Sequence, residues 1–115
     1  MQPLFKSFRW AFNGLRTVWK EEQNFRIETF IGALVLFFGF LASFSPIEYA
    51  LLVIAITFVL LAEIVNTAIE DLATKIEQRE DAVIGKIKDI MAGFVLVAVF
   101  GAVLLGVAVF FYHFN

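Results

Sequence analysis

Three apolar runs divide the chain, and the polar residues between them fall into two stretches. The first run covers Thr29 to Phe44 without a charge. At ~16 residues it is short for a hydrocarbon core of ~30 Å and needs help from its flanks or a thinner bilayer. Ser45-Pro46 is expected to end it, because proline restrains the residue before it and cannot continue a helix. A second run extends from Ile47 to Ile69, broken only by Glu63 and Asn66. A third runs from Ile90 to Phe114 with His113 as its only titratable side chain apart from Tyr112. Membrane-crossing backbone must satisfy its own hydrogen bonds, so each run predicts a helix. The predicted fold is an all-α membrane protein: an interfacial segment over 1–28, spans over 29–45, 47–70 and 90–114, and a loop over 71–89.

The segment before the first span has a different pattern. Leu4, Phe5, Phe8, Phe12, Leu15, Val18 and Trp19 gather on one side of a helical wheel, with Lys6, Arg9, Asn13, Arg16 and Lys20 mostly on the other. That arrangement predicts an amphipathic helix lying in the membrane interface, with Trp10 and Trp19 at headgroup depth. It is unlike the apolar segment of a signal peptide, so the spans themselves are expected to direct insertion.

Charge then sets the orientation. All nine Lys and Arg residues lie in the two polar stretches, and none lies in the turn at 45–48 or at the C-terminal end. An odd number of spans puts both stretches on one face, which the positive-inside rule makes cytoplasmic. The expected location is the bacterial inner membrane, N-terminus inside and C-terminus outside. Composition agrees: 61% of the residues are hydrophobic and fifteen are phenylalanine, too much for a small soluble domain to hide. The net charge of −2 offers nothing to nucleic acid. Without cysteine there is no thiolate site, and a single histidine excludes a multi-histidine metal centre within one chain.

Three polar clusters remain to carry chemistry. Glu63 lies inside an apolar span, at an insertion cost of ~2.5 kcal/mol or more, so it must face protein, water or a partner. Asn66 and Glu70 follow at spacings of three and four, which aligns a polar stripe from within the bilayer to its cytoplasmic edge. Read as packing, the stripe is hydrogen-bonding glue between helices; read as function, it is a site. Glu21-Glu22 is either a solvated pair or a cation site. The Gly85-Lys86-Ile87-Lys88-Asp89 stretch is either a topology anchor or a phosphate contact. Together they offer carboxylates for Mg²⁺ and a lysine for phosphate at one membrane face, and phosphoryl transfer asks for little beyond positioning and charge neutralisation. No Walker loop or protein-kinase signature occurs. Gly32, Gly39, Gly93, Gly101 and Gly106 read as close helix contacts.

These residues resemble the prokaryotic diacylglycerol kinase family, which includes undecaprenol kinases. The octapeptide Glu63-Ile64-Val65-Asn66-Thr67-Ala68-Ile69-Glu70 is similar to the family's central signature. Lys88-Asp89 with Ala92-Gly93 and the series Gly14-Leu15-Arg16, Trp19, Glu22, Phe25-Arg26-Ile27-Glu28 match two further motifs in the right order. The resemblance implies a homotrimer with active sites shared between protomers, using ATP and Mg²⁺ to phosphorylate a membrane lipid alcohol, either diacylglycerol or undecaprenol. It implies Glu63 as general base, with Asn66 and Asp89 shaping the site. Glu22 and Glu70 match the Mg²⁺ carboxylates, Lys88 a phosphate contact, and Trp10 an aromatic beside the nucleotide; Glu28 has no assigned role. The chain departs from the family at Asp71 to Lys75 and at residues 78–82, the loop that approaches the adenine in relatives. Two readings from other classes stand beside the kinase: a proton-coupled transporter using Glu63, and a non-enzymatic membrane subunit.

Overall fold

The computed structural model describes residues 2–115, and all regular structure among them is helical. Four helices follow one another: α1 (Gln2–Glu21), α2 (Gln23–Leu41), α3 (Pro46–Ile76) and α4 (Ala82–Phe114). The last three are long and apolar enough to cross a membrane. They overrun the apolar runs at the end of the bundle that carries the Lys and Arg residues. Apolarity marks where lipid begins, whereas a helix ends only where its hydrogen bonding is broken. The 71–89 stretch holds good helix formers such as Leu72, Ala73 and Lys75, so α3 continues to Ile76 and α4 starts at Ala82. Asp81 caps that start, accepting from the Val83 and Ile84 amides at 3.0 Å each. The loop expected over 71–89 therefore shrinks to residues 77–81. The segment 1–28 likewise divides, with Glu22 as an extended residue between α1 and α2.

The turn between α2 and α3 also differs from expectation. Ser45-Pro46 starts α3 rather than ending α2. Ser45 and Glu48 form a reciprocal capping box at 2.7 and 3.2 Å, with Pro46 in the first turn. α2 ends earlier. The Phe44 amide reaches the Gly39 carbonyl at 2.9 Å and Ser43 reaches Phe40 at 3.3 Å, while Ser43 takes the left-handed φ of 59°. That is the Schellman pattern, with serine where glycine is usual.

A core cluster lies at this end of the bundle, where Phe44, Leu52 and Val109 are buried together. His113 ties α4 to the turn, with Nδ1 hydrogen bonded to Glu48 at 2.9 Å and Nε2 donating to the Ala42 carbonyl at 2.8 Å. Gly32 lets α2 close on α3, since a Cβ there would meet Ile56 Cγ2 at 2.8 Å, and Gly39 presses on the Phe44 ring. Gly93, Gly101 and Gly106 face open space instead. Only nine apolar side chains are buried among the described residues, and the bundle is a slab 53 × 42 × 19 Å. So thin a layer leaves most apolar surface for lipid or for other chains.

Candidate active site

The polar stripe of α3 meets the start of α2. Glu63 is 1% exposed, the most fully buried large side chain among the described residues. Its carboxyl lies within hydrogen-bonding reach of the Glu28 carboxyl on α2. Two carboxyls can be joined only through a proton or a donor placed between them. Glu28 Oε2 and, one turn along α3, Asn66 Oδ1 are buried without a hydrogen-bond partner among the described residues. An unpaired buried acceptor costs ~1–3 kcal/mol, so this corner is built to receive donors.

Toward the α1 end of the bundle the site changes from buried to half-exposed. The Glu22 carboxyl stands against α3, beside Thr67, Glu70 and Asp71. Removal from water pushes its pKa up, repulsion from Glu70, Asp71 and Glu21 adds to this, and the Thr67 hydroxyl opposes it. Thr67 is itself buried and donates to the Glu63 carbonyl at 2.9 Å. Sequence reasoning passed over Thr67, although it follows Glu63 by four residues and so belongs to the same stripe. It also gave Glu28 no role, because Glu28 lies on a different helix and only folding brings it to Glu63.

The remaining expected residues lie elsewhere in the single chain. Trp10 is 66% exposed on α1, and nine residues at ~100° each place it on the opposite side of that helix from Trp19. Lys88 lines a cleft of about 490 Å³ around residues 77–85, and Asp89 is exposed on α4. The site thus gathers Glu22 from the elbow before α2, Glu28 from α2, and Glu63, Asn66, Thr67, Glu70 and Asp71 from α3. The charges acting on Glu22, Glu28 and Glu63 are all acidic. Among the described residues no three acidic or histidine side chains form a ready metal centre. The Glu22–Glu70 pair fits Mg²⁺ nonetheless, because that ion commonly takes one or two carboxylates and completes its shell with water and substrate phosphates. Below the Glu28–Glu63 pair, an apolar groove of about 720 Å³ runs between α2, α3 and α4 toward Phe110, with Glu28 its one charged lining residue.

With this geometry in place, comparison with known proteins is decisive. The family model for prokaryotic diacylglycerol kinase matches residues 9–110. The chain belongs to that family. Within the prokaryotic diacylglycerol kinases, it is 35% identical over 104 residues to the diacylglycerol kinase of Synechocystis sp., a match covering 90% of this chain and 59% of that relative. It therefore spans under two thirds of that relative's length. The undecaprenol kinase of Bacillus subtilis is 31% identical over 96% of this chain and 89% of its own length. The diacylglycerol kinase of Escherichia coli is 28% identical over 97% and 92%. Both kinase names occur within the family, and the chain is a multi-pass membrane protein of it.

Proposed function

We propose that the chain is an ATP- and Mg²⁺-dependent kinase that phosphorylates a membrane lipid alcohol at the cytoplasmic interface. The observation that carries this reading is the stripe itself. The buried Glu63, facing the half-buried Glu28 of α2, stands one to two turns deeper than the half-exposed pair of Glu22, just before α2, and Glu70 of α3. Glu63 takes the proton of the lipid hydroxyl, within a pocket where Glu28 and Asn66 offer unpaired acceptors. Glu22 and Glu70 hold Mg²⁺, which when bound neutralises charge on the nucleotide phosphates. The groove below Glu28 gives a lipid tail an apolar bed beneath its hydroxyl.

Lys88, Asp89 and Trp10 complete the site from a neighbouring protomer of a homotrimer, with Lys88 on phosphate and Trp10 beside the nucleotide. The open glycines of α4 and its apolar exposed surface from Ile90 to Phe111 support such assembly. Trp10 points away from the apolar arc of α1, so with that arc in the membrane the indole faces water. A transporter needs polar groups across the full membrane, yet between Glu48 and Glu63 α3 offers only the hydroxyls of Tyr49 and Thr57.

The test is phosphate transfer from labelled ATP with Mg²⁺ in mixed micelles, offering diacylglycerol and undecaprenol side by side. Diacylglycerol is the first expectation; undecaprenol is the alternative, since the Bacillus subtilis relative carries that name at nearly full length. Label in either lipid, lost in Glu63→Gln, supports the kinase and identifies its acceptor. Absence of label in both lipids from well-folded protein removes this reading.

A further inference from the structure

Arg26 belongs to the Phe25-Arg26-Ile27-Glu28 motif, yet no step above uses it. No carboxylate pairs with it among the described residues, where the two recorded ion pairs are Arg79–Glu77 and His113–Glu48. It is also absent from the charges acting on the crowded Glu22 carboxyl. Its partners are backbone. The C-terminus of α1 leaves carbonyls without amide donors. The Glu22 amide takes the Val18 carbonyl at 2.8 Å, and Arg26 Nη1 donates to the next two, Trp19 and Lys20, the latter at 3.0 Å. A cation there also meets the negative end of the helix dipole.

The residue between the helices is Glu22. Its amide closes α1, its carbonyl accepts the Arg26 amide at 3.3 Å to open α2, and its own backbone is extended at φ −112°, ψ 104°. Its side chain makes no capping bond and instead reaches Thr67 of α3, so where the carboxylate stands depends on the angle between the two helices. Little else fixes that angle. Val18 is the only buried residue of α1, and the Trp19–Phe25 edge contact at 6.3 Å adds one further touch.

We propose that Arg26 is a positioning residue whose guanidinium locks the α1–α2 elbow, and thereby aims the Glu22 carboxylate at Glu70 to complete the divalent-cation pair. This rests on the reading of Glu22 and Glu70 as cation ligands.

Both tryptophans of the chain lie on α1, so Trp10→Phe leaves Trp19, whose carbonyl Arg26 holds, as a lone reporter of the elbow. In that background Trp19 anisotropy and acrylamide quenching are measured in mixed micelles, and Mn²⁺ affinity is measured by electron paramagnetic resonance without nucleotide. Arg26→Gln should lower the anisotropy, raise the quenching and weaken Mn²⁺ about ten-fold, the scale on which supporting residues affect metal sites. Arg26→Lys, which keeps charge but not the fork, should fall between and also serves if the glutamine variant folds poorly. Glu22→Gln should weaken Mn²⁺ while leaving Trp19 fixed. Unchanged Trp19 signals in both Arg26 variants overturn the lock; a freed Trp19 with unchanged Mn²⁺ affinity overturns the positioning role. If the parent protein binds no Mn²⁺, the cation reading of Glu22 and Glu70 falls, and the positioning role with it, while the Trp19 signal still decides the lock.

Discussion

In the proposed reaction Glu22 and Glu63 put one residue type to two uses by depth. Glu63→Gln preserves shape and hydrogen bonding but removes the proposed base, so transfer should fall by about 10²–10⁴-fold with little loss of folded protein. A stopped assay alongside circular dichroism checks this. Glu22 lies outside the spans, and its raised pKa gives a signed prediction. Cations bind only the ionised carboxylate. The Mg²⁺ concentration for half-maximal activity should therefore rise as pH falls from neutral, starting above the usual carboxylate range of about 4.3. The stability sign is also fixed. A carboxyl whose folded pKa is raised contributes stability fully present below its unfolded pKa, and that contribution is lost as pH rises through the folded value. Glu22→Gln should then melt higher than the parent at pH 7.5 without divalent cations, with the difference shrinking toward pH 5. Saturating Mg²⁺ should erase it, since a ligand at 100 times its Kd adds about 2.7 kcal/mol to the protein that binds it. Differential scanning calorimetry in detergent decides, and a parent that already melts higher at pH 7.5 contradicts the crowding at Glu22.

Helix ends were the least legible part of the sequence. Hydropathy locates three spans, but proline beside serine signals a helix end as readily as a start, and the capping box of Ser45 with Glu48 makes it the start of α3. The true end of α2 is a left-handed serine, which carries no sequence signal because glycine ordinarily sits there. Ser43→Gly should accordingly raise stability by about 1 kcal/mol, the strain of a left-handed side chain, seen as a higher melting temperature with unchanged transfer. The stripe on α3 was legible as far as Glu63, Asn66 and Glu70, since three polar residues in an apolar run stand out. Thr67 did not stand out, being at home in apolar helices, and the Glu28–Glu63 contact joins residues 35 positions apart that no local spacing relates. The elbow at Glu22 was hidden for another reason: the residues on both sides are helix formers, and a single extended residue leaves no composition change.

At the scale of the whole molecule, one chain gathers acidic groups and leaves its expected phosphate lysine in a different cleft. Phosphoryl transfer cannot run on carboxylates alone, so either α4 moves within the chain or a second copy brings Lys88 to the stripe. The homotrimer reading chooses the second, and subunit mixing separates the two. Glu63→Gln protomers and Lys88→Ala protomers are each expected to be nearly inactive alone. In a mixed trimer of shared sites, one interface pairs an intact Glu63 with an intact Lys88, and activity returns to as much as a third of the parent value per trimer. If each chain uses its own Lys88, every site in the mixture carries one defect and no activity returns. Gly101→Leu adds an independent control, because a Cβ added at Gly101 meets nothing within 4 Å in its own chain. Should that face of α4 pack against a partner, the variant should keep its helicity yet lose the trimer in sedimentation. Recovery on mixing, together with loss of the trimer in Gly101→Leu, would assign the missing cation to the neighbouring protomer.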